Sequence, residues 1–324
     1  MMRVPGRKIV GRALRPLVRN LFPGAVVLGY HRVADTRWDP LRLAVSPEHF
    51  SAQLAVLQSV REIISLAELA ARHRAGERLD HYAALTFDDG YADFADTVVP
   101  IAAERQAPVT VFVASGYIGR DFWWDELVAL LRSPGEGGPL MELRMSGAEP
   151  LLLSGLDDAG VRGEAACRIS DRLVGRSTGE IEAVLAQLRT WAGDHAVPTG
   201  RPMTRDELAA VARHPCVEIG AHTVTHGCLD QMSLDAQRSE IARSKADLEE
   251  ICGVDVTVFS YPHGSLSFRS PGMVKALGFT CASMSRDGVF TARHNPFRIP
   301  RLWVSDIDGP TFRCWLGNWV AEAR

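Results

Sequence analysis

Short apolar runs recur along the chain, separated by charged, amphipathic stretches. Ala25–Tyr30, Ala83–Phe87, Val109–Val113, Val217–Gly220, Val256–Ser260, Phe279–Ser283 and Arg298–Val304 are the clearest of these runs. Runs of this length, rich in Val, Ile, Leu and Phe, predict strands buried on both faces of a parallel sheet. The stretches between them read as helices. In Pro47–Gln58, Phe50, Leu54 and Leu57 share one face, and Leu234–Ile251 is rich in Glu, Arg, Lys and Leu. Strands alternating with helices imply βαβ units. About seven such units point to an α/β fold with a closed or nearly closed barrel, and a doubly wound open sheet is the alternative.

One segment breaks the rhythm. From about residue 121 to 203 the chain is helix-rich with glycine-rich joints such as Ser133–Gly138, and only Leu140–Met145 and Leu151–Leu153 read as strands. The expectation is a helical insertion between two barrel units. The barrel itself would span 25–324, behind a basic leader at 1–24. In that leader Arg3, Arg7, Lys8, Arg12, Arg15 and Arg19 all precede the first acid, Asp35. Lys8, Arg12, Arg15 and Arg19 fall on one helical face and Val10, Leu14, Leu17, Val18 and Leu21 near another, a pattern that suits a membrane surface. A solvated leader packed on the barrel is the alternative, and Pro16 weakens a continuous helix. No apolar run approaches the ~20 residues of a membrane span or the ~7–15-residue core of a secretion signal. The expected location is cytoplasmic, with peripheral membrane contact through the basic N-terminus left open.

Composition narrows the class. The 324 residues are 46% hydrophobic and 23% charged, with a net charge of −3. That is an ordinary globular balance with no basic field to gather nucleic acid. Six cysteines at 167, 216, 228, 252, 281 and 314 include no CxxC pair, and read as small buried hydrophobes in a reducing compartment. Nothing in the sequence fixes an oligomeric state.

The chemistry lies where the strands end. Ala83–Phe87 runs into Asp88, Asp89 and Gly90. The carboxyl ends of barrel strands carry active sites. A helix-capping role would explain one acid and not two, whereas a bound cation would offset the mutual repulsion of both. Two further ligands follow the strand at Val217–Gly220: His222 and His226, four apart, with imidazoles suited to zinc, cobalt, nickel or iron. Three protein ligands leave room for water and substrate. A third strand end carries Tyr261-Pro262-His263-Gly264, a tight loop able to approach a ligand, although a plain strand-to-helix turn has the same look. The first strand ends at His31. A lone histidine is more often structural, but this is the fourth strand end in a row bearing a reactive group.

These residues together resemble the polysaccharide deacetylase family, also called the NodB homology or carbohydrate esterase 4 family. Thr86–Gly90 is similar to its first motif, His222–His226 to its H-[ST]-x-x-H motif, and Phe259–Gly264 in part to its third. Leu28–His31 looks like the permuted counterpart of a late L-x-H motif in the biofilm-polysaccharide branch. Trp123–Asp125 with a helical insert resembles bacterial members of surface or exopolysaccharide assembly. The resemblance implies a distorted (β/α) barrel and a metal-dependent hydrolase that removes acetyl groups from N-acetylated sugars. It further implies Asp89, His222 and His226 as ligands of one divalent metal, with zinc expected and cobalt, nickel or iron as substitutes. Asp88 would be the general base and His31 the general acid. His263 and Tyr261 would meet the substrate or its oxyanion, His263 through its backbone N–H. The arginine that orients the base in the family's third motif is replaced by Ser260, leaving Arg301 or Arg32 as its substitute. The rival functions are an O-acetyl esterase and an inactive carbohydrate-binding homologue.

Overall fold

A computed structural model describes residues 24–193 and 198–319. The basic leader, and with it the expected membrane-facing helix, lies outside the described residues. The longer strands of the main sheet, with its two closing pieces, are β1 (Val26–Tyr30), β2 (Tyr82–Phe87), β3 (Val109–Val113), β4 (Val217–Ala221), β5 (Val258–Ser260), β6 (Cys281–Met284), β7 (Ile299–Pro300) and β8 (Leu302–Trp303). They form one parallel sheet in the order β7-β6-β5-β4-β3-β2-β1-β8, and a short strand, Glu62–Ile63, pairs with β2. The first and last members of that order are pieces of one segment, parted only by Arg301. The sheet therefore curls round and closes through this segment, giving the expected distorted barrel. The expected strand Arg298–Val304 is interrupted at its middle because β7 pairs with β6 while β8 pairs with β1.

The strand ends lie close together along the sheet. Tyr30 pairs with Phe87, Phe87 with Val111, Val113 with Ala221, and Phe259 with Ala221. The residues that follow these positions thus emerge on one face. Side chains alternate between two environments. Val26, Leu28, Leu85, Phe87, Val109, Val111 and Phe259 join the larger core with Phe50, Leu54 and Leu57 of α1 (Pro47–Gln58). Val27, Ala84, Phe112, Val258, Cys281 and Ile299 form a second cluster with Leu66, Leu69 and Ala70 of α2 (Leu66–Arg74). Helix α1 starts where its chemistry dictates: Ser46 caps it by accepting from His49 N–H, and Pro47 occupies the first turn. Its one buried polar residue, Gln53, accepts from Tyr30 Oη and donates to the carbonyls of Ser305 and Ile307.

The chain divides into two compact units. Of the described residues, one unit comprises Thr36–Leu43 and Gly119–Pro202, and the other holds the barrel. The smaller unit contains helices Trp123–Leu131, Ala159–Leu173 and Thr178–Ala192 with an antiparallel hairpin, Leu140–Leu143 and Leu151–Ser154. Arg162 is buried inside it because its guanidinium donates to the carbonyls of Leu131, Leu156 and Asp157. The six thiols are free. Cys228, Cys252 and Cys281 are buried, Cys167 and Cys216 are half-buried and Cys314 is exposed, so the expectation of buried cysteines holds for only three of the six. Among the described residues no helix is long and apolar enough to cross a membrane.

Candidate active site

Asp88 and Asp89 follow β2 and are both nearly fully buried. The turn that carries them is tight, with Asp89 at φ 75° and Gly90 at φ 88°. A Cβ on Gly90 would stand 3.0 Å from the Val113 side chain, so glycine is needed there for conformation and space. The two acids meet different fates. Asp88 is gripped by Arg301, with Nη1 donating to Oδ1 at 2.6 Å and Nη2 to Oδ2 at 2.7 Å. Burial would raise the Asp88 carboxyl, but the charge and hydrogen bonds of Arg301 outweigh it and hold the group well below the usual carboxylate range. Asp89 lacks such a grip. Its Oδ1 accepts no hydrogen bond, and burial pushes its carboxyl up.

Two imidazoles face that oxygen. His226 Nε2 is 3.1 Å and His222 Nε2 3.7 Å from Asp89 Oδ1. His222 Nδ1 lies 2.7 Å from the Ser260 carbonyl, an acceptor only, so Nδ1 carries the hydrogen and Nε2 is left facing the acids. Burial pushes His222 down to about 4 and His226 to about 3, so both rings are neutral with a lone pair to offer. The ligand atoms of Asp89, His222 and His226 all lie within 4.8 Å of one another. A buried carboxylate oxygen without a donor, beside two neutral imidazoles, fits a divalent cation. The loop carrying the histidines is strained for this. Thr223 at φ 63° and His226 at φ 56° occupy the left-handed region, at a cost of about 1–3 kcal/mol each for non-glycine residues. Ser115 and Gly116 donate N–H bonds to the carbonyls of Thr223 and Val224. A Cβ on Gly116 would fall 2.6 Å from the Val224 oxygen, so the approach requires glycine.

His31 sits at the end of β1 with its ring stacked on Trp303, centroids 4.6 Å apart. It lies within electrostatic reach of both Asp88 and Asp89. His263 lies in a short 3-10 turn at φ 56°, its ring edge-on to His226 at 4.6 Å. Burial, reinforced by His226 and His222, pushes that imidazole well below its ordinary value. Of the two arginines considered for the base, Arg32 is engaged elsewhere, donating to Asp93 at 2.8 Å. Tyr261 is a correction. It follows Ser260, which faces Arg301, and the two-residue alternation turns Tyr261 the other way, into the core against Phe259, with its hydroxyl donating to the Phe297 carbonyl. It offers the site no polar group.

Sequence reading missed two supports. Thr86 Oγ1 and Ser260 Oγ both accept from Arg301, and the Ser260 carbonyl also fixes His222. Parity along the strands was the available signal: Thr86, Asp88, His222 and Ser260 all share the inward phase.

The chain belongs to the polysaccharide deacetylase family. The profile described as "Polysaccharide deacetylase" matches residues 75–138 and 177–282, more than half of the chain. Membership makes it a hydrolase of the kind that cleaves amide C–N bonds of acetylated sugars. No curated protein matches the chain. Solved structures of similar fold include the Streptococcus pyogenes deacetylase PplD in complex with acetate, at 16% identity and TM-score 0.59 over 91% of this chain and 98% of that one. IcaB from Ammonifex degensii matches at 18% identity and TM-score 0.58, over 90% and 97%. The BpsB deacetylase domain from Bordetella bronchiseptica matches at 15% identity and TM-score 0.52, over 87% and 96%. At these identities the likeness is one of fold.

Proposed function

We propose that the protein removes acetyl groups from N-acetylated sugars of a bacterial surface polysaccharide or exopolysaccharide, or of its precursor, with the help of one divalent cation held by Asp89, His222 and His226. The observation that carries this reading is the unequal treatment of two adjacent carboxylates. Asp88 is locked and ionised by Arg301, while Asp89 is left open beside two neutral imidazoles. A cation there, with zinc the best match to the donor set, would supply Lewis-acid polarisation of the acetyl carbonyl and of the attacking water.

The chain's own groups do the rest. Asp88 takes the proton of the attacking water, and Arg301 fixes both of its oxygens so that the accepting lone pair keeps one direction. That grip keeps Asp88 ionised at some loss of basicity. The His263 N–H belongs to the first turn of a 3-10 segment, where no intrahelical acceptor exists, and serves as the oxyanion donor. His31, held flat against Trp303, gives the proton that the departing amine needs. The test is acetate release from N-acetylhexosamine oligosaccharides by metal-loaded protein. Asp88→Asn leaves Arg301 without its carboxylate and should unfold more easily, yet the folded variant should retain metal and lose turnover by about 10²–10⁴-fold. Wild-type turnover in that variant would move the base elsewhere. Acetate released from O-acetylated but not N-acetylated sugars would identify an esterase instead.

A further inference from the structure

The histidine loop is held from outside by a helix that no motif includes. That helix, α3 (Leu234–Cys252), is capped by Ser233 and ended by Gly253 in the left-handed conformation. Ile241 and Leu248 anchor it in the core, both fully buried, and Gln237 ties its first turns to Ser267 and Ser270 beyond β5. From this fixed base Glu240 reaches the segment between the two histidines. Its Oε2 accepts from Val224 N–H at 2.9 Å and from Thr225 N–H at 2.8 Å. Two turns further on, Asp247 accepts from Ser115 Oγ at 2.9 Å. Ser115 and Gly116 in turn donate to the carbonyls of Thr223 and Val224. The loop is thus clamped on both sides, N–H groups by Glu240 and carbonyls by the turn after β3.

We infer that Glu240 is a positioning residue for the metal ligands. It holds the left-handed kinks at Thr223 and His226 that aim both imidazoles at Asp89. The physical case is that two successive N–H groups converge on one carboxylate oxygen, a charge-assisted arrangement stronger than bonds to a neutral acceptor. Without it, the loop can relax its strained torsions, and His226 swings away from Asp89 while His222, fixed by Ser260, stays. Outer-shell partners of this kind change metal affinity by about 10–100-fold.

The inference rests on the metal-site reading above, and the experiment separates the two. Zinc and cobalt affinities of the full chain would be measured by chelator competition for wild type, Glu240→Ala, Glu240→Gln and His222→Ala, with the cobalt absorption spectrum recorded for each. His222→Ala should abolish tight binding. Glu240→Ala should weaken binding about 10–100-fold and alter the cobalt bands, because a coordinating ring has moved. The melting temperature of the metal-free protein should change far less than the metal-induced rise in it. Glu240→Gln keeps a neutral acceptor and should fall between Glu240→Ala and wild type. A Glu240→Ala protein that binds zinc within twofold of wild type, with an unchanged cobalt spectrum, would overturn the role of Glu240. If Glu240→Ala does not fold, Glu240→Gln decides, and less than a twofold loss in it has the same consequence. Unchanged binding in His222→Ala would overturn the metal site itself and Glu240's role with it.

Discussion

Arg301 and Asp88 show how much one side chain can settle. They are 213 residues apart in sequence, and their pair is buried with two bonds of 2.6 and 2.7 Å. Removing one partner strands a buried charge, so Arg301→Ser should lower unfolding free energy in urea by about 3–5 kcal/mol. Ser260 touches the same guanidinium and stands where the family's third motif places its arginine. Adding Ser260→Arg to Arg301→Ser should therefore restore part of the lost stability, and a double variant no better than Arg301→Ser would show that the two positions do not exchange roles. His31 makes a chemical prediction at the same scale. His31→Ala should leave zinc binding intact and reduce turnover on an N-acetyl amide far more than on an aryl acetate. An aryl oxide departs without a proton and an amine does not. Equal losses on both substrates would assign His31 to positioning.

At the scale of elements, the strand ends carry the chemistry and the strand beginnings carry the architecture. Glu218, at the start of β4, accepts from the N–H groups of Leu66 and Ala67 in the first turn of α2 and from Thr110 Oγ1 of β3. One carboxylate joins a helix N-terminus to two strands, where an anion is favoured. Glu218→Ala leaves these donors without their acceptor and should cost about 1–3 kcal/mol in urea unfolding. Burial nonetheless pushes the Glu218 carboxyl above its usual value, outweighing those bonds. A raised acid pKa means the folded state holds the proton more firmly than the unfolded chain. Its contribution to stability should fall as pH rises from ~4.3 through the raised folded value. Glu218→Gln has no such proton, so its stability difference from wild type should change over that range and level off above it. A constant difference would show that Glu218 does not titrate there.

At the scale of the whole molecule, the proposed cation would be coupled to the fold. A ligand that binds only the folded state stabilises it by about 2.7 kcal/mol at a hundred times its Kd. Chelation should therefore abolish acetate release and lower the melting temperature, zinc should restore both, and His222→Ala should respond to neither. The same scale separates what the chain declares locally from what it declares only when folded. The seven expected strand runs of the main sheet were legible because a strand buried on both faces is mostly apolar along its length. Asp88, Asp89, His222, His226 and His31 could be expected to lie near one another because each follows a strand, and strand ends of a barrel share one face. The turn that buries Tyr261 in the core follows from two-residue alternation, a local rule that the loop motif obscured. The short strand at Glu62–Ile63 gave no apolar run long enough to see. The grip of Arg301 on Asp88, the closure of the barrel through the residues flanking Arg301, and the reach of Glu240 to Val224 and Thr225 belong to the tertiary structure alone. Sequence patterns report which face of an element is buried. Which distant polar group meets which depends on sheet closure and register, and these are set by the summed packing of all the strands and not by any one of them.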